Sequence, residues 1–320
     1  MKRSTLFKIL RLAVGVGLIL FLLSKQNLAE IAGHFRSARL LPIVLAAFVD
    51  FAMIAVNSLR WHALLAGKGI RVGRWRLLYY NMVGVFFSAA LPTSVGGDFV
   101  RAVGIGGETG RRAEVLGSVV VDRLLGFAVL LPLGIASMPF VGRDLAGWGV
   151  VVKVWVVAAL IFICAFVVLL RPVARSLSVV LGPLLDLLAR FKARDRLERA
   201  YAAVVGYGCC RGAVYQGLVL SVVSRLFWIY GCLLVARAFS LDIGFMPLLL
   251  VVPIVELARM IPISLGGLGV REATFVFMLD QFGVDASLGL AYSVVVYAVF
   301  TALALAGGVV YGIAQLTRKS

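Results

Sequence analysis

Apolar residues in this chain run in long blocks, near 6–23, 40–59, 115–140, 147–170, 213–239 and 288–314. Each block is long enough to cross a hydrocarbon layer as a helix, for which about 20 residues suffice. The stretches between them are short and mostly basic. Segments 1–11, 60–76, 98–114, 171–211 and 317–320 hold 22 of the 32 lysines and arginines, whereas 24–39, 141–146, 240–245 and 281–287 hold four. Basic loops stay cytoplasmic during insertion, so the first group is expected inside and the second outside.

Two apolar stretches do not fit a simple crossing. Residues 77–97 lie between two basic segments, and 246–280 lie between two segments without basic residues. Each is predicted to enter the bilayer, turn, and leave by the same face. The turns fall in "LPTSVGGDFVRA" (91–102) and "IPISLGGLGVREA" (261–273), which align without gaps. Pro92, Ser94, Gly96, Gly97, Val100 and Arg101 match Pro262, Ser264, Gly266, Gly267, Val270 and Arg271, six identities in ten positions spaced 170 apart. The pattern predicts an all-α polytopic membrane protein with about six full transmembrane helices and two re-entrant helical hairpins, related by an inverted-topology repeat. The whole of 1–320 reads as one membrane domain. Residues 1–39 form an uncleaved anchor span and external loop, and 40–140 form repeat 1, with its hairpin at 77–112. Residues 141–212 supply a connecting span and a basic amphipathic segment on the cytoplasmic face. Residues 213–320 form repeat 2, with its hairpin at 246–280. Both termini are expected in the cytoplasm, with the chain in the cell (inner) membrane.

The residue types at the turns suggest chemistry. Proline ends the first half-helix, and paired glycines allow a tight reversal. The second half-helix then starts inside the membrane, where bare N–H groups must face protein or a wet cavity. Its positive end suits an anion. Asp98 can cap the first such helix, and Ser94 and Ser264 can donate or accept at the turns. Arg101 and Arg271 sit one turn in, so two guanidiniums and two helix ends are expected to converge on one phosphate-sized anion. Asp50, Asp122, Arg123, Arg225, Glu256 and Arg259 are further charges inside apolar runs, and Glu272 can pair with Arg271. Taken singly, each also reads as a helix-locking ion pair; as a set they point to a polar cavity.

Composition narrows the classes. Hydrophobic residues make up 62% of 320 residues and charged residues 15%, and the mean hydropathy is +1.03. This excludes an ordinary soluble domain. The net charge of +17 sits in interhelical loops, so it speaks for bilayer orientation and anionic lipid rather than nucleic acid. Two histidines and four scattered cysteines do not build a metal centre, and no cofactor is expected. "GIGGETGRR" (104–112) lacks the G-K-[ST] ending of a nucleotide loop. Trp61, Trp75, Tyr79 and Trp148 read as interfacial anchors.

The two turn motifs, with "VLGSVVVDRLLGF" at 115–127, resemble the flippase-like membrane family that includes the N-terminal transmembrane domain of lysylphosphatidylglycerol synthases. The likeness covers nearly the whole chain. The P-x-x-x-G-G-D-x-x-R element corresponds to Pro92, Gly96, Gly97, Asp98 and Arg101, and S-x-x-x-D-R to Ser118, Asp122 and Arg123. The resemblance implies transport of phospholipids, aminoacylated lipids or lipid-linked sugars between leaflets. Synthesis is not expected to carry over, since the resemblance is to the membrane half of those enzymes and not to their soluble aminoacyl-transfer part.

A non-enzymatic lipid translocase is therefore the leading expectation. Phospholipid is its ligand, a lipid-modifying enzyme is a candidate partner, and the oligomeric state is left open. Asp50, Asp98 or Glu256 could carry a coupled proton. The same residues also suit a transporter or proton exchanger for a small soluble anion. An integral-membrane enzyme or an accessory subunit acting on lipid-linked substrates is a further alternative.

Overall fold

A computed structural model describes residues 14, 16–24, 26, 28–90, 96–141, 149, 153, 155–157, 204, 206–260 and 264–317. Among the described residues the chain is helical, with no strand. Four helical runs are long and apolar enough to cross a membrane: α3 (Leu40–Gly67), the run Arg112–Phe140 built from α6 (Arg112–Ala128) and α7 (Leu130–Ser137), α8 (Arg211–Ala238), and α11 (Ala286–Thr317). Ahead of them α1 (Val16–Ser24) meets α2 (Leu28–Ser37) at 96°, and together they make a fifth candidate. The span expected at 147–170 lies largely outside the described residues, as do most of the basic segment 171–211, Trp148, Ser94, Pro92 and Pro262.

The remaining α-helices among the described residues come as two pairs. The first is α4 (Arg74–Ala90) with α5 (Gly96–Thr109), and the second is α9 (Phe245–Met260) with α10 (Val270–Asp280). Helices α4 and α5 pack antiparallel. Gly84 faces Gly97, Asn81 binds Arg101, and Arg76 and Tyr80 bind Glu108. The approach is closest at the glycines: a Cβ on Gly97 would lie 1.9 Å from the Gly84 carbonyl oxygen. Outside the apolar part of this pair, Glu108 pairs with the exposed Arg76 and raises the guanidinium pKa further. In the second pair the chain turns through Gly266, Gly267 and Gly269, with φ of 62°, 81° and 80°. Residues with a Cβ avoid that left-handed region. Helix α10 then starts with the Gly269 N–H donating to Glu272 Oε2 at 2.7 Å, which satisfies one of its orphan donors.

Helices α3 and α8, each 28 residues long, run antiparallel in a constant register. Asp50 lies against Gly231, Asn57 accepts from Ser224, Arg60 donates to Ser221, and Leu64 lies against Gly217. Two of the three apolar clusters among the described residues flank this seam. One joins α3, α4, α5 and α6 through Trp61, Leu65, Leu77, Tyr80, Ile105 and Val119. The larger joins α8, α9, α10 and α11 through Ile229, Val235, Leu248, Leu250, Phe275 and Tyr292. The outer faces of α3 and α11 keep large apolar side chains exposed, among them Leu41, Phe48, Val309 and Leu316. That arrangement suits a lipid solvent.

Two readings of the sequence change here. Residues 60–67 are not loop: α3 continues to Gly67, so Arg60 lies inside a helix and is 6% exposed. Trp61 is not an interfacial anchor. It is fully buried, and its Nε1 donates to Ser118 Oγ at 2.9 Å. The apolar run 40–59 ends eight residues before the helix does, so the helix carries Arg60 and Trp61 into the interior. Trp75, by contrast, is 84% exposed at the start of α4.

Candidate functional site

A cavity of ≈ 620 Å³ opens between the two helix pairs. Helices α4 and α5 contribute Asn81, Gly84, Ser88, Ala89, Gly97, Asp98 and Arg101. The long helices add Asn57 and Arg60 from α3, Asp122, Arg123 and Gly126 from α6, and Arg225 and Trp228 from α8. Glu256 and Arg259 of α9, Gly266 of the second turn, and Tyr297 and Phe300 of α11 close it. Five arginines thus face three carboxylates. The cavity has a charged wall towards α5 and α6 and an aromatic wall of Trp228, Tyr297 and Phe300.

The charged wall is an ion-pair network. Asp122, 1% exposed, accepts from Arg60 Nε at 2.6 Å and from Arg101 Nη2 at 2.9 Å. Arg101 Nη2 also meets Asp98 at 2.8 Å, while Nη1 donates to Asn81 at 3.0 Å. Its guanidinium lies 4.9 Å from the Trp61 ring, within cation–π range. Arg123 pairs with the other oxygen of Asp98. Asp98 therefore sits in the first turn of α5 as the counter-ion of two arginines. Buried charges of this kind require paired partners.

The second-repeat arginine is placed differently. Arg271, 5% exposed, pairs with its neighbour Glu272, and its guanidinium lies 3.5 Å from the Tyr297 ring. It lines a small adjoining pocket of ≈ 20 Å³ rather than the main cavity. Thus Arg101 and Arg271 occupy matching positions, each held by a carboxylate and an aromatic ring, and only Arg101 faces the large space. Gly267 and Ser264 are buried nearby, and Ser264 Oγ has no hydrogen-bond partner among the described residues. Gly96 begins α5 and is half-buried.

Closer to the aromatic wall, Arg259 Nη2 donates to Glu256 Oε2 at 3.1 Å across one turn of α9. Arg225 Nη1 lies 3.9 Å from the same oxygen, and its Nε donates to the Gly126 carbonyl at 3.3 Å. Asp50 stands apart from the cavity. It is 3% exposed, and its Oδ1, against Gly231, has no hydrogen-bond partner among the described residues. Sequence reasoning missed Arg60, Asn57, Asn81, Trp228 and Tyr297 as cavity groups. The signal for Asn57 and Arg60 was their three-residue spacing near the end of an apolar run. Nothing in the pattern marked the other three.

These features define a polytopic helical membrane protein with an arginine-rich internal cavity. The family model described as "Lysylphosphatidylglycerol synthase TM region" matches residues 8–308, and the chain belongs to that family. It is similar to a "UPF0104 membrane protein" of Methanothermobacter thermautotrophicus strain Delta H. The two are 26% identical over 287 residues, which cover 83% of each chain. No solved structure matches the chain.

Proposed function

We propose that this protein is a translocase that carries an anionic or aminoacylated phospholipid, or a lipid-linked precursor, between leaflets. The observation that carries the reading is the ≈ 620 Å³ cavity, with charged and aromatic walls, inside a bundle whose outer face is apolar. Its size suits a small polar organic group, for which sites of about 300–1,000 Å³ are usual. The head group would occupy it while the acyl chains stay against the apolar helix faces. The family name supports the same direction, since lysylphosphatidylglycerol is an aminoacylated phospholipid.

In this reading α4–α5 and α9–α10 are re-entrant hairpins, and the two halves are inverted repeats. The equal lengths and antiparallel run of α3 and α8 support it, as does a helix pair of 17 and 14 residues in one half against 16 and 11 in the other. The protein acts as a transporter rather than an enzyme, in the cell membrane, with both termini cytoplasmic. Phospholipid is its ligand, and a lipid-modifying enzyme is a natural partner. Asp98, Arg123, Arg225, Glu256 and Arg259 face the passenger. Asp122 and Arg101 hold the wall in shape.

The test is movement of fluorescent phosphatidylglycerol across the bilayer of proteoliposomes, read by dithionite quenching. Ala89 lines the cavity and is exposed to it, so Ala89→Trp fills the space at little cost to the fold. It should abolish movement, whereas Val309→Trp on the outer face of α11 should not. Wild-type rates no higher than protein-free vesicles, or full activity in Ala89→Trp, would remove the assignment. Uptake of radiolabelled phosphate without lipid movement would transfer it to a soluble-anion carrier.

A further inference from the structure

The arginines of the cavity are not equivalent, and their partners divide them. Arg60 and Arg101 have side chains 7% exposed, and each is held by Asp122 together with further acceptors. Arg271, in the small adjoining pocket, is held by Glu272, also at 7% exposure. Across the cavity Arg225 and Arg259 share one carboxylate, that of Glu256. Their side chains are 19% and 35% exposed; Arg123, at 31%, is the other arginine a ligand can reach, and it is held by Asp98 on the opposite wall.

The backbone supports this arrangement. Gly267 lacks a Cβ where one would lie 2.2 Å from Arg259 Cγ, which lets the arginine stem lie across the second turn. One turn along α8 from Arg225, the Trp228 Nε1 is buried with no acceptor among the described residues. Two guanidiniums with a single, partly engaged carboxylate leave one positive charge uncompensated. A phosphodiester carries one negative charge and oxygens that suit the planar guanidinium fork.

We propose that Arg225 and Arg259 form the phosphate subsite of the cavity, and that Glu256 is the internal carboxylate that a phosphate displaces. This rests on the head-group reading of the cavity. It also moves the phosphate from the Arg101 and Arg271 pair of the repeated motif to arginines outside it. Glu256 competes with phosphate for the same donors, so it has the opposite effect on binding to the two arginines. A purely structural ion pair would not behave in that way.

The experiment is calorimetric titration of the full-length protein in detergent with three probes at constant ionic strength: dihexanoyl-phosphatidylglycerol, sodium phosphate and phosphate-free dihexanoylglycerol. Wild type should saturate with a phosphate-bearing probe and not with dihexanoylglycerol. Arg259→Gln and Arg225→Gln should each weaken binding by roughly 10- to 100-fold, the worth of a charge-assisted hydrogen bond. Glu256→Gln should tighten it. Arg259→Lys, which keeps the charge but loses the fork, should bind more tightly than Arg259→Gln and more weakly than wild type, and so guards against loss of fold. Unchanged binding in Arg259→Gln, weaker binding in Glu256→Gln, or no saturation of wild type by either phosphate probe overturns the subsite. Saturation by sodium phosphate alone keeps the subsite and assigns it to free phosphate. Lipid movement in proteoliposomes separates the two ideas. Normal movement with binding indifferent to all variants sinks the subsite and spares the translocase. The predicted binding pattern without movement does the reverse.

Discussion

Asn at position 122 is the sharpest probe of the buried network. Asp122 is the acceptor shared by Arg60 and Arg101, at 2.6 and 2.9 Å, and the three side chains are 2%, 7% and 7% exposed. Asp122→Asn keeps the shape and removes the charge. Arg101 retains Asp98 at 2.8 Å, whereas Arg60 retains Ser221 Oγ at 3.1 Å and no carboxylate. One buried guanidinium is thereby left without compensation. Breaking a buried pair costs about 3–5 kcal/mol, and the surviving Asp98 contact places the variant near the lower end, at about 3 kcal/mol. That is a shift of roughly 100-fold in the unfolding equilibrium. Reversible unfolding in mixed micelles, with a rising dodecyl sulfate fraction and helicity followed by circular dichroism, measures it. The double variant Arg60→Met with Asp122→Leu removes the orphan charge and should recover to within about 1 kcal/mol of wild type. A cost below about 1 kcal/mol for Asp122→Asn, or a double variant as unstable as the single one, would refute the uncompensated-charge argument.

Other outcomes follow from the same geometry. Gly97→Ala should destabilise by about 1–3 kcal/mol, because its methyl group meets the Gly84 carbonyl in a pair with no room to yield. Gly107→Ala, in the same helix with nothing within 4 Å, should stabilise by up to about 1 kcal/mol through helix propensity; micellar unfolding of the two variants side by side checks the contrast. Gly267→Ala should cost more than Gly266→Ala in the same assay. Both positions have left-handed φ, and only Gly267 also has the Arg259 stem in the way. Asp285, outside the spans, accepts from the Ser287 N–H and hydroxyl, which hold its pKa below the ordinary value. Its contribution is full above the usual aspartate range, near about 3.9, and is lost as pH falls through the lowered folded value. Thermal melts of Asp285→Asn should therefore lie below wild type at neutral pH and converge with it in acid.

The repeated turn was legible in the sequence because its cause is local. Proline, paired glycines and an arginine one turn on are what a break before a new helix requires, and the described residues after each break begin helices at Gly96 and Val270. Four of the six expected spans were legible for the same reason, as long apolar helices among the described residues. What escaped was pairing across the bundle. Arg60 was counted as loop because it follows 20 apolar residues, yet its helix continues and it meets Asp122, which is 62 residues away. Arg101 and Arg271 look alike in sequence, but only the packing of α11 and the small adjoining pocket sets Arg271 aside from the main cavity. Trp61 looked like a boundary residue because tryptophan favours boundaries. Its burial depends on Ser118 and Arg101 closing over it.

The seam between α3 and α8 restricts how such a molecule can open. It is keyed at Asp50 on Gly231, Asn57 on Ser224, Arg60 on Ser221 and Leu64 on Gly217, over about 21 Å of helix at 1.5 Å per residue. A ratchet of one turn would set the Asp50 carboxylate against Val235 or Phe227 and separate both polar rungs at once. Packed elements have discrete arrangements rather than a continuous range, and this seam offers no second one at that step. The two long helices therefore resist sliding past each other by a turn, and they hold one register along the seam.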